Sequence, residues 1–148
     1  MLKGLSPLLS ADLLWVLESM GHGDDLALVD RNFPAASVAA ETVSGRLVRL
    51  ESSDAGAVTD AILSVLPLDS FVDTPLVAMQ PVDRPENPTA VQREVHQRAQ
   101  RDEGRAFPLH QLERQAFYDA AKTAFAVVQC LEARPYACFL MKKGVIFE

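Results

Sequence analysis

The chain has 148 residues, enough for one compact domain with a buried core and too few for a catalytic domain plus a separate cofactor domain. Hydrophobic residues make up 49% and charged residues 23%, which excludes wholesale disorder, and no apolar run is continuous enough for a membrane span. Fourteen basic against twenty acidic residues leave a formal charge of -6, a field that repels phosphate backbones and anionic lipid heads and argues against nucleic acid or membrane as partner.

Residues 1–10 lack a sustained apolar region, because Ser6, Pro7 and Ser10 interrupt it, and no export signal is expected. Ser10 then caps a predicted amphipathic helix over 11–20, with Leu13, Leu17 and Met20 on one face and Gly21 as its stop. Residues 26–29 are an apolar run without alternation, which predicts a strand buried on both faces. A second strand is expected over 46–50. Asp54 opens a helix in which Val58, Ile62 and Val65 recur at helical spacing until Pro67 ends it. A third strand follows at 76–79. Pro81, Pro85 and Pro88 punctuate a polar stretch, and 89–101, rich in charge, predicts an exposed helix. A short strand at 109–112, a helix at 114–123, a buried strand at 125–128 and a last strand at 136–141 complete the chain. Strands interleaved with helices predict an α/β fold, a three-layer α/β/α sandwich forming a single domain. Cys130 and Cys138, without a CxxC pair or paired histidines nearby, are expected to be buried free thiols in a reducing cytoplasm rather than zinc ligands.

Few residues stand out chemically. His22 lies between Gly21 and Gly23 in a helix-to-strand connection, where the missing Cβ groups let a ligand approach; by itself it reads first as an exposed loop residue behind a helix cap. Asp30 directly follows an apolar strand, the position at which open α/β sheets present ligand-binding groups, or it serves only as a turn residue before Asn32-Phe33-Pro34. Eight extended residues span up to roughly 26 Å, so His22 and Asp30 meet only if the chain folds back or a second subunit intervenes. Arg114 and Tyr118 are four apart on one helical face and either present a cation and a phenol together or pack at a rim. Tyr136 is either an edge aromatic or a platform for the C–H face of a sugar. No P-loop, GxGxxG, GxSxG or HExxH pattern is present, so nucleotide binding and standard hydrolase or protease chemistry lack support.

Several segments, in order along the chain, resemble the family of fucose mutarotases and ribose pyranases: Leu2-Lys3-Gly4, Met20-Gly21-His22-Gly23-Asp24, Asp30, Asn32-Phe33-Pro34-Ala35, Leu66-Pro67-Leu68-Asp69-Ser70, Arg114-Gln115-Ala116-Phe117-Tyr118, Ala124-Phe125-Ala126-Val127-Val128 and Lys142-Lys143-Gly144-Val145. The glycine after His22, the Arg-x-x-Phe-Tyr pattern and Lys-Lys-Gly-Val are similar to the fucose branch, whereas the ribose branch has histidine where Arg114 stands. The resemblance implies an isomerase that exchanges the α and β anomers of a free monosaccharide, L-fucose first, with D-ribose pyranose–furanose exchange or a non-catalytic sugar-binding oligomer as alternatives. It implies His22 as the proton donor, Asp30, Arg114 and the triplet Tyr136-Ala137-Cys138 as sugar-binding positions, and Tyr118 as a second proton relay. It implies no metal and no redox cofactor. It further implies octameric or decameric homo-oligomeric rings with shared sites, the triplet completing a neighbour's pocket. Where this chain has Cys138 the family usually has asparagine; a thiol is the weaker donor and acceptor, so the resemblance there implies a looser hold on the sugar or a different preferred sugar.

Overall fold

A computed structural model describes every residue, Met1–Glu148, as five helices around one six-stranded sheet. Helix α1 (Ala11–Ser19) starts where the Ser10 hydroxyl accepts from the Leu13 amide, and it buries Leu13, Val16 and Leu17. It ends one residue before Met20, whose backbone is already extended, so Gly21 follows the stop rather than making it. Strand β1 (Asp25–Val29) is central, as its apolar run predicted. Helix α2 (Ala35–Glu41) is absent from the sequence-based expectation; it is only about two turns long, begins after Pro34 and has no side-chain cap, so nothing announces it. Strand β2 (Leu47–Arg49) and helix α3 (Ala55–Leu63), capped by Asp54, follow. Because α3 stops at Leu63, well short of Pro67, Val65 lies outside it and is partly exposed.

Strand β3 (Leu76–Met79) leads to helix α4 (Ala90–Glu103), which a Thr89–Gln92 capping box opens and Gly104, in the left-handed region, closes. This helix is less exposed than its composition predicts: Val91, Gln92, Val95 and Ala99 are buried along one stripe. Strand β4 (His110–Leu112), helix α5 (Arg114–Lys122), strand β5 (Ala126–Gln129) and strand β6 (Phe139–Lys142) complete the order. The last strand begins at Phe139, not at residue 136, because Tyr136 has φ 63, a left-handed conformation that cannot continue a pleat.

The sheet order is β2-β5-β1-β6-β3-β4. β1, β2 and β5 run parallel, as do β3 and β4, while β6 is antiparallel to both β1 and β3. Alternation along the strands feeds two cores: Leu26, Leu28, Phe139 and Met141 pack with α1, α3 and α4 on one face, and Ala27, Val29, Cys138 and Leu140 pack with α2 and α5 on the other. Three layers result. Phe117 is fully buried in the second core and fixes α5 to the sheet; truncating such a side chain costs about 3–5 kcal/mol. The reversed direction of β6 has a consequence for function: its first residues lie beside the carboxyl ends of β1 and β3, where open sheets place ligands.

Candidate active site

At the carboxyl end of β1, Asp30 is buried and makes an Asx turn, its Oδ1 accepting from the amides of Asn32 (2.9 Å) and Phe33 (3.1 Å). Oδ2 stays on the side of Cys138, whose Sγ lies 3.5 Å away as a donor. Burial, and then the negative charge of Asp30, push the Cys138 thiol well above its ordinary pKa, so it remains an S–H group. Glu113, at the N-cap of α5, spends its carboxylate on the amides of Gln115 and Ala116. Arg114 therefore has no carboxylate partner, and its guanidinium lies 5.8 Å from the centre of the Tyr118 ring. Tyr118 in turn stands 5.4 Å from the ring of Phe33.

Asp30, Arg114, Tyr118, Tyr136 and Cys138 line one cavity of about 170 Å³. The four other hollows, from about 320 Å³ to about 540 Å³, are larger, and none gathers a buried carboxylate with a free cation. Ala137 is not among the lining residues: in the segment ahead of β6, Tyr136 and Cys138 border the cavity while Ala137 packs into the opposite core. The left-handed backbone of Tyr136 costs on the order of 1–3 kcal/mol, a strain that its surroundings must hold in place. Its hydroxyl accepts from the Val82 amide at 3.3 Å. Within one chain, then, the triplet borders its own Asp30.

His22 is elsewhere. It precedes β1, whereas Asp30 follows it, and the five residues of that strand separate them by about 16 Å. The imidazole is half-exposed, its Nε2 3.1 Å from Asp69 Oδ1 and its ring 5.3 Å from that of Phe71. Asp69 is buried, a circumstance that by itself raises a carboxyl pKa. The Phe71 amide, hydrogen-bonded to Oδ1 at 3.0 Å, together with His22 and Lys142 outweighs that effect and holds Asp69 below the usual carboxylate range. An ionised carboxylate thus orients the ring. Sequence reasoning did not single out Asp69; its one signal was an acid set between apolar residues in Leu66-Pro67-Leu68-Asp69.

The C-terminal lysines hold this loop. Lys143 Nζ donates to the carbonyls of Leu17 (2.7 Å) and Met20 (2.6 Å) at the end of α1, and Lys142 Nζ lies 3.1 Å from Asp25 and 3.2 Å from the Gly23 carbonyl. A Cβ on Gly144 would come within 2.6 Å of the Leu68 carbonyl, so only glycine lets the chain close on the Leu68–Asp69 segment. Lys-Lys-Gly is the clamp behind His22.

Residues 3–146 match the model of the RbsD / FucU transport protein family. The chain belongs to that family. An L-fucose mutarotase of Actinobacillus pleuropneumoniae serotype 5b is 36% identical over 145 residues, 98% of this chain and 97% of that one. The crystal structure of FucU from Bifidobacterium longum superimposes with a TM-score of 0.87 at 37% identity, covering 98% of this chain and 100% of that chain. The fucose mutarotase from Streptococcus pneumoniae, solved in complex with L-fucose, gives a TM-score of 0.83 at 33% identity, covering 99% and 100%. The likeness to this family extends through the whole sheet, so the Asp30 and His22 ends of β1 both belong to the shared fold. No group of three or more His, Cys, Asp or Glu side chains is placed to hold a metal ion, and no helix is long and apolar enough to cross a membrane.

Proposed function

We propose that the chain is a sugar mutarotase that exchanges the α and β anomers of L-fucose, in a homo-oligomer that brings His22 of one subunit to the Asp30 cavity of the next. The observation that carries this reading is the cavity itself: a buried carboxylate, a free guanidinium, two phenols and a thiol around about 170 Å³. That space is below the roughly 300–1,000 Å³ of sites for drug-sized ligands and suits a single pyranose. Asp30 and Arg114 suit paired sugar hydroxyls, and the tyrosine rings suit the C–H face. The relatives named for L-fucose give the sugar.

The shared site accounts for the position of His22. Beside it Phe71, and Phe147 against Phe71, are 67% and 70% exposed, an apolar surface of the kind that association covers. Docked at the Asp30 cavity of the partner, the imidazole takes the proton of the anomeric hydroxyl as the C1–O5 bond breaks, while a proton reaches O5. In this reading Tyr118, which lines the same cavity, supplies that proton. The free aldehyde turns about C1–C2 and the two proton movements reverse on its other face. Asp69 keeps the imidazole oriented and stabilises it when protonated. A positioned acid and base contribute ~10²–10⁴-fold, enough for a reaction that free sugars already undergo in water.

Saturation-transfer NMR on L-fucose, D-ribose, D-galactose and L-rhamnose tests the reading. Faster exchange of the L-fucose anomers is expected; fastest exchange with D-ribose would transfer the assignment to the pyranose–furanose reaction, and no acceleration with any sugar would reject catalysis. Mixed oligomers test the sharing. At sugar too dilute for the Asp30→Ala homo-oligomer to bind, His22→Ala and Asp30→Ala subunits are each inactive alone and recover activity at about a quarter of sites after random co-assembly only if the two residues come from different subunits.

A further inference from the structure

Gln92 sits on a largely polar helix, yet its side chain is fully buried and every polar atom on it is used. Oε1 accepts from the Thr89 amide (3.1 Å) and from Gln111 Nε2 (3.0 Å). Nε2 donates to the carbonyls of Met79 (2.7 Å) and Tyr136 (2.9 Å). A glutamine amide has two N–H donors, and both go to the main chain of residues that line the Asp30 cavity, at the end of β3 and ahead of β6. The helix cap needs only Oε1. The two donated bonds therefore add nothing to the α4 cap; they fasten α4 to two walls of the cavity and tie those walls together.

One of those walls is the strained one. A tyrosine at φ 63 returns to the β or right-handed region unless its neighbours over-determine it, and the Tyr136 carbonyl is held from below by Gln92 while its hydroxyl is held from above by the Val82 amide. The capping box fixes the Gln92 backbone, and Gln111 fixes which way its amide points. We infer that Gln92 is a positioning residue for sugar binding, which acts by holding Tyr136 in its left-handed conformation and so its ring at the cavity. This role rests on the monosaccharide reading of the cavity.

Gln92→Glu separates the role from that of a helix cap, because glutamate completes a capping box as glutamine does but its carboxylate has no hydrogen to donate. The dissociation constant for L-fucose, read by calorimetry on the oligomer at neutral pH, is expected to rise roughly tenfold. In a Tyr136→Gly background the ring is gone and a positive φ is free of strain, so there the same substitution is expected to change affinity less than about twofold. Equal losses in both backgrounds, or an unchanged affinity beside a lowered melting temperature, would overturn the assignment. Should the glutamate variant fail to fold, Gln92→Met removes the donors without burying a charge and repeats the cycle. If the unmodified protein binds no sugar, the monosaccharide reading fails on its own. The crystal structure of the Gln92 variant then decides the positioning role: a Tyr136 that leaves the left-handed region supports it, and one that stays at positive φ overturns it.

Discussion

The two ends of β1 are built on opposite plans. At the carboxyl end the buried polar groups are closed in: Asp30 is hydrogen-bonded three ways, Gln92 has no free atom, and Glu132 is tied to Arg134, while the Arg114 guanidinium stays free. At the amino end one imidazole stands half-exposed beside its buried carboxylate and the exposed rings of Phe71 and Phe147. A single chain thus holds the candidate sugar cavity and, about 16 Å away, an imidazole that does not line it. Under the proposed function binding and chemistry are separable, and catalysis is conditional on assembly.

The comparison breaks most sharply at His22. His22→Ala is expected to lower the enzyme-driven anomer exchange by at least about 10²-fold while the calorimetric affinity for L-fucose stays within about twofold. Loss of affinity in step with exchange would mean that His22 holds the sugar rather than moving its proton. Asp30→Ala is expected to do the reverse. It removes a charged acceptor and the Asx turn that shapes the cavity wall, so affinity falls roughly 10- to 100-fold, and exchange recovers at saturating sugar.

How much of this the residues disclosed depended on whether a local pattern carried the information. The α1 cap, the buried run of β1 and the Arg114–Tyr118 spacing were legible, because helix and strand periodicity states which face a residue occupies. Helix α2 was not, since a seven-residue element without a side-chain cap has no periodic signal to offer. The site divides in the same way. Asp30, Arg114, Tyr118, Tyr136 and Cys138 came from strand ends, one helical face and a resemblance, and the structure gathers all five; Ala137 it turns away. Asp69 and Gln92 were hidden because their partners are distant in sequence, 47 residues from Asp69 to His22 and 44 from Gln92 to Tyr136. Only the folded sheet makes those pairs.

A smaller effect tests the rigidity of the closed end. Glu132 accepts from the Ala55 amide and from both the amide and the guanidinium of Arg134, which pins the segment leading to Tyr136 against α3. The Arg134 side chain, more than offsetting the cost of burial, holds the Glu132 carboxyl at about 2, against 4.5 ordinarily. A depressed carboxyl stabilises the native state above its unfolded value, so this contribution is complete above pH 4.5 and disappears as pH falls toward 2. Glu132→Gln is expected to cost about 2 kcal/mol at pH 7, less than the roughly 3–5 of a fully buried pair because Arg134 is 45% exposed. Urea unfolding of the two proteins would then give free energies that converge between pH 4.5 and 2; a constant gap would place the stability of this loop elsewhere.

The smallest expected effect concerns Cys138, where the family resemblance implies asparagine. The Cys138 thiol stays protonated and points its weak donor at Asp30 Oδ2, so it serves the carboxylate rather than the sugar. An asparagine there would give the same oxygen a stronger N–H donor and add a carbonyl acceptor for a hydroxyl. Cys138→Asn is therefore expected to tighten L-fucose binding about threefold, and Cys138→Ala, which leaves Oδ2 without that donor, to weaken it by a similar factor. Affinities across the four sugars sharpen the point. If Cys138→Asn improved L-fucose and left the others unchanged, the thiol would be a relaxed version of the same receptor; if it weakened L-fucose while improving another sugar, the thiol would be what sets the preference, and the closed end of β1 would be tuned to a sugar other than the one its relatives are named for.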